Sequence, residues 1–272
     1  MSENLSPQKI GFLDSLDKKA DYIKSEFEKS GAQISEQTFT VDGKVYRNVI
    51  ADFGANDKEK IIVGAHYDTA KDFSGADDNS SGIAGLIELS RLLSQTELPL
   101  QIELVAYALE EPPYFATQQM GSFIHADSLK KQNANVRLMI CLEMIGYFTD
   151  ENDSQNYPVS LLKLFYPSKG NFIVVVGSFG NGLTTRRLKA SMISGVDLPI
   201  YSINAPDFVN GVDFSDHRNY WKLGYNAVMI TDTAFYRNKN YHSNNDTSEK
   251  LDYPRMAKTI EATFAAIIEI SK

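Results

Sequence analysis

Apolar residues recur along the chain with two different periods, and the switch between them marks out the elements. Leu13, Leu16, Ala20, Ile23 and Phe27 are spaced three and four apart, which predicts a helix starting near Ser6-Pro7 and closed by Gly31. Alternating or β-branched runs predict strands at Gln33–Thr40 and Val45–Phe53, joined by the turn pair Asp42-Gly43. From residue 60 onward strand and helix signals take turns. Strands are predicted at Lys60–Ala65, Leu100–Ala108, Val136–Leu142, Asn171–Val176, near Ile200 and at Ala227–Thr231. Helices are predicted at Asn79–Ser94, Gly121–Lys130, Leu183–Ser194, around Phe214–Leu223 and at Pro254–Ile270. The polar run Thr149–Tyr157 reads as a surface loop.

That alternation predicts an α/β fold: a three-layer sandwich, with a mostly parallel, mixed central sheet covered by helices on both faces. The two early strands would add an antiparallel edge. No internal repeat or linker-like stretch divides the chain, so residues 1–272 are expected to form one domain.

Composition removes several function classes. A formal net charge of −8 offers no basic stripe to neutralise phosphates, so nucleic acid is not an expected partner. No apolar stretch approaches the ~18 residues of a membrane span, and none is expected at a membrane. The N-terminal segment lacks the basic-then-apolar pattern of a signal peptide, and Cys141 is the only cysteine. Both suit a cytoplasmic, reducing setting.

The candidate chemistry collects where parallel strands end. In such a sheet the carboxyl ends of the strands share one rim, and ligands bind there. The segment GAHYDTAKDFSGADDNSSGIAG brings His66, Asp68, Asp77 and Asp78 to that rim. ALEE brings Glu110 and Glu111, and LEMIGY brings Glu143. The final predicted strand leads through Asp232 to His242. Each has a bland explanation: a satisfied histidine, acidic residues at a helix start, solvated loop carboxylates. Glu143 resists it, because a carboxylate within an apolar run needs a partner or a proton. Clustered carboxylates repel, and several on one rim with two histidines call for a cation. Nitrogen and oxygen donors without thiolate suit Zn²⁺ or another borderline divalent ion.

In order, HYDT, GADDNSSG, ALEE, LEMIGY, SDH (Ser215 to His217) and YHSNNDTSEKLD resemble the zinc exopeptidases of clan MH, over about residues 45 to 270. Within that clan they are similar to the bacterial dizinc aminopeptidases, whose relatives include glutamate carboxypeptidases and glutaminyl cyclases. The resemblance implies two Zn²⁺ per chain, held by His66, Asp77, Glu111, Glu143 and His242, with Asp77 bridging both. His66 and Glu143 would complete one site, and Glu111 and His242 the other. Glu110 matches the general base and Asp68 the residue that orients His66. Tyr241 matches a tyrosine that polarises the scissile carbonyl. The family's cis peptide after the bridging aspartate would fall at Asp77–Asp78. Many relatives carry Asp where this chain has Glu143, a residue one methylene longer.

What the resemblance implies is removal of N-terminal amino acids from peptides or aminoacyl compounds by an activated water. Thr233–Tyr241 would line the substrate pocket. Phe235 and Tyr236 favour an apolar first side chain, whereas Arg237 could pair with an acidic one. The alternatives are a glutaminyl cyclase, which should carry Trp before the last histidine where this chain has Tyr241, and a binding protein that has lost the metals. Oligomeric state is open. His217 is not expected to be a ligand, and Cys141 reads as a small apolar residue on a buried strand.

Overall fold

The computed structural model describes residues 13–54, 59–71 and 73–272. Its strands are β1 (Gln33–Val41), β2 (Lys44–Phe53), β3 (Glu59–His66), β4 (Gln101–Tyr107), β5 (Asn135–Glu143), β6 (Ile173–Gly177), β7 (Ile200–Asn204) and β8 (Ala227–Thr231). The helices are α1 (Leu13–Glu28), α2 (Gly82–Leu93), α3 (Gly121–Lys131), α4 (Gly182–Ile193), α5 (His217–Lys222) and α6 (Tyr253–Ser271). Each lies close to its predicted position; the predicted start of the first helix at Ser6-Pro7 falls outside the described residues. Among the described residues no helix is long and apolar enough to cross a membrane.

All eight strands form one sheet in the order β1-β2-β4-β3-β5-β8-β6-β7. Asp42 and Gly43 both take positive φ, 51° and 76°, and turn β1 back onto β2, as two-residue hairpins with twisted strands require. The strands β4, β3, β5 and β8 are mutually parallel, so their carboxyl ends share a rim. One departure from simple alternation is that β6 runs antiparallel to β8. The cause is the segment 144–172, which contains only a short 3₁₀ turn at Ser160–Leu164. With no crossover helix to carry the chain back, β6 starts at the rim where β5 ended.

Strand alternation divides the core in two. Ile61, Val63 and Ala65 of β3 pack with α1, α2 and α6, whereas Ile62, with Met139 and Cys141 of β5, faces α3 and α5. His66 and Glu143 continue the second parity to the ends of their strands. Gly64 lies on that face where Tyr107 crosses it; a Cβ there would fall 2.2 Å from the tyrosine ring, so only glycine fits.

Candidate active site

Three parallel strands and two loops converge at the rim. The Nε2 of His66 lies 3.4 Å from Oδ1 of Asp78 and 3.4 Å from Oε2 of Glu143, with Oε2 of Glu110 at 3.9 Å. On the other side, the Nε2 of His242 lies 3.2 Å from Oδ2 of Asp78 and 3.2 Å from Oε1 of Glu111. Asp78 therefore joins two clusters, His66–Asp78–Glu143 and Asp78–Glu111–His242.

At His66 the contacts fit ligation better than hydrogen bonding, whereas the Nε2 of His242 is within hydrogen-bond reach of Glu111. The Nε2 of His66 is buried and makes no hydrogen bond, an arrangement that costs free energy unless something else binds it. Donors about 2.05 Å from a tetrahedral ion lie about 3.3 Å from one another. The separations of 3.2–3.4 Å match that edge length. The donor set, two imidazoles and three carboxylates without sulfur, suits Zn²⁺.

The charge balance points the same way. Burial pushes Glu110 well above the ordinary carboxylate range, with the charges of Glu111 and Glu143 adding to the rise. Glu111 is pushed up to about 7, first by burial and then by Asp78. Burial would lower both histidines, yet Glu143 and Glu110 lift His66 well above its usual value, and Asp78 and Glu111 lift His242 to about 10. Without cations, burial and mutual repulsion favour protons on the carboxylates, while the surrounding negative charge favours them on the imidazoles. Divalent cations would supply the positive charge instead.

Asp77 does not occupy the place expected of it. Its carboxylate turns away from both histidines and accepts hydrogen bonds from the Gly146 N–H at 3.0 Å and the Asn238 side chain at 2.8 Å. Gly75 enters the turn in the left-handed region, and Asp78 sits at φ −101°, ψ 92°, directing its side chain between the imidazoles. Asp246 fixes the turn by accepting from the backbone N–H groups of both Asp77 and Asp78. The non-proline cis peptide lies at Asp78–Asn79, one residue later than expected.

Asp68 also does more than orient His66. Its two carboxylate oxygens accept from the backbone N–H groups of Glu110 and Glu111, at 3.1 and 3.0 Å. The Nδ1 of His66 is nearer to the Asp68 backbone carbonyl, 3.2 Å, than to its carboxylate, 3.5 Å. Asp68 thus links the end of β3 to the loop carrying both glutamates.

Several residues support the site in ways the sequence did not suggest. Ser215 donates to Oε2 of Glu143 at 2.5 Å, and its place directly before Asp216-His217 was a usable signal. Asn79 donates to the Leu142 carbonyl and accepts from Met144 N–H, bracing the loop on either side of Glu143. Asn238 carries no pattern that would single it out, whereas Asp246 lies inside the motif YHSNNDTSEKLD. His217 is buried, with Nε2 against the Val212 carbonyl and its ring edge-on to Trp221. Cys141 is buried beside the Ser215 hydroxyl.

Tyr241 stacks on the His242 ring, centroids 4.1 Å apart, and together with Glu143 it lines an apolar cavity. Phe235 and Tyr236 line it too. Arg237 does not. Its guanidinium is buried, donating to Gln155 and to the Phe172 carbonyl and packed on the Phe172 ring. An acidic substrate side chain finds no cation there.

Residues 48–267 match the profile of Peptidase family M28. The chain is 45% identical to the uncharacterized protein YfbL of Escherichia coli (strain K12), covering 98% of this chain and 84% of that one. It is 24% identical to leucine aminopeptidase 1 of Ajellomyces dermatitidis over 82% of this chain, and spans about 56% of that relative's length. A leucine aminopeptidase precursor and a glutaminyl cyclase, both from Bacteroides thetaiotaomicron, superpose with TM-scores of 0.71 and 0.69. Each is 16% identical, and each comparison covers 98% of this chain and 94% of the other, a likeness of fold. With four-fifths of its length matching one profile and the rim residues in place, the chain belongs to peptidase family M28.

Proposed function

We propose that the chain is a zinc aminopeptidase that hydrolyses the first peptide bond of substrates with an apolar N-terminal residue. The observation that carries this reading is Asp78, whose two oxygens face imidazoles from opposite ends of the chain. His66, Glu143 and one Asp78 oxygen would hold one ion; Glu111, His242 and the other oxygen would hold a second. Bound there, the pair would supply Lewis acidity, making the attacking water more acidic and polarising the substrate carbonyl.

The protein's own groups do the rest. Glu110, on the loop pinned by Asp68, takes the proton as the water attacks and hands it to the leaving amine. The Tyr241 hydroxyl donates to the oxygen on which negative charge develops. The apolar cavity beside Tyr241 and Glu143 receives the first side chain and excludes water from it. A binding protein that had lost its metals would be expected to lack ligands, whereas every ligating position here holds a competent donor.

A glutaminyl cyclase of the same fold is the second reading, supported by that structural likeness. Tyr241 stands against it, because the cyclase resemblance implies Trp at this position. Zinc-loaded protein should cleave leucyl- and phenylalanyl-p-nitroanilide and leave N-terminal glutaminyl peptides uncyclised. Cyclisation without anilide cleavage would reverse the assignment.

A further inference from the structure

The apolar cavity is deeper than one amino-acid side chain. Its floor is the α3/α5 face of the sheet, crossing β5, β8, β6 and β7 in turn. Glu143 pairs with Thr231, Thr231 with Val174, and one step along the strands Met229 pairs with Val176 and Val176 with Ile203. Of these residues all but Glu143 are uncharged, and all line the cavity. Three strand spacings separate Glu143 from Ile203, a run of about 14 Å. A phenylalanine side chain would cover roughly half of it.

The roof keeps the far end apolar. Tyr157 and Tyr166 line it, but their hydroxyls are tied to the carbonyls of Pro167 and Ser202, at 2.7 and 2.9 Å. The Tyr236 hydroxyl donates to the Asn210 carbonyl. Glu143 is the one charged side chain among the lining residues, and Gln155, Asn156 and Asn210 are the neutral amides there. The segments forming the roof also expose large apolar residues: Leu164 at 76%, Phe165 at 72% and Phe208 at 84%.

We infer that the same site hydrolyses amides of medium-chain carboxylic acids, with the acyl chain lying along this trough. The inference rests on the hydrolytic reading above and extends its substrate class to compounds with no α-amine. An extended alkyl chain advances about 1.25 Å per bond, so the trough takes roughly ten carbons. The chemistry balances as for a peptide. Water's oxygen bonds to the acyl carbon, the C–N bond breaks, and the proton taken by Glu110 goes to the leaving nitrogen, giving a carboxylic acid and an amine.

The test is a series of straight-chain acyl p-nitroanilides from four to fourteen carbons, alongside leucyl-p-nitroanilide, on zinc-loaded protein. Each methylene buried should raise kcat/KM by up to about fourfold, so the six from four to ten carbons should give a rise of up to about 4,000-fold and at least about 100-fold, with a fall by fourteen. Ile203→Trp, which blocks the far end, should move the optimum to shorter chains. Calorimetry on the metal-free protein supplies a second readout: decanamide should bind more than tenfold tighter than butyramide. Cleavage of the leucyl compound with no rise along the acyl series, or equal binding of the two amides, would overturn the inference and leave the peptidase reading intact. Inactivity toward every compound would bring down both.

Discussion

The Nε2 of His242 lies 3.2 Å from Oδ2 of Asp78, although the two residues come from separate loops at the rim. The neighbouring Asp77 is held by Gly146 and Asn238 instead. The pair of aspartates is thereby divided into one residue facing the two imidazoles and one bracing the loop. Asp78→Ala should lose both ions and all activity. Asp77→Asn should retain metal but lose about 1–3 kcal/mol of stability, since an amide cannot accept at both oxygens. Metal analysis and urea unfolding of both variants check the division, and it fails if the metal loss follows Asp77.

Glu110 is oriented by the loop that Asp68 pins, not by a ligating contact of its own. Glu110→Gln is expected to bind zinc normally while kcat falls by about 10²–10⁴-fold. Stopped assays on metal-analysed protein measure this, and near-normal turnover would remove Glu110 from the role.

Ser215 donates to Glu143 at 2.5 Å, the kind of contact that aims a ligand at its metal. Ser215→Ala should weaken zinc binding by about 10–100-fold in chelator competition. Ser215→Thr, which keeps the hydroxyl, should recover most of it. Equal affinity in all three proteins would show that the contact does not tune the site.

Lys19 of α1 is buried, with its ammonium donating to the Tyr67 carbonyl. Burial lowers its pKa from 10.5 to about 8, against the opposing pull of Asp68 and Glu111. Below pH 8 the amine is charged both folded and unfolded, and the folded state bears the cost. Between pH 8 and 10.5 the folded protein releases the proton while the unfolded chain keeps it, so stability should rise with pH, by up to about 3 kcal/mol. Lys19→Met should lack that rise. Denaturant unfolding of metal-free protein across this range decides it: parallel profiles for the two proteins would contradict the assignment.

Much of this was legible in the sequence because two periodicities carry it. Alternating and β-branched runs placed every strand to within a few residues, and the shared rim of the parallel strand ends brought His66 and Glu143 together. Lys19, three residues after Leu16 and four before Ile23, lies on the buried stripe of its helix but was not singled out among the apolar positions there. The choice between Asp77 and Asp78 was not legible. It depends on the backbone of a single turn, and either identity satisfies the same motif. The reversal of β6 left only a negative trace, the missing helix between residues 144 and 172. The depth of the trough had no trace at all, since it arises from side-by-side packing of strands far apart in sequence. Arg237 shows the reverse error: a charged residue beside a pocket in sequence turned out to brace the wall behind it.

The most direct test is a crystal structure of zinc-soaked protein with anomalous data at the zinc edge. Two peaks are predicted, one among His66, Asp78 and Glu143 and one among Asp78, Glu111 and His242, with Asp78 touching both. A single peak, or a pair bridged through Asp77, would contradict the account.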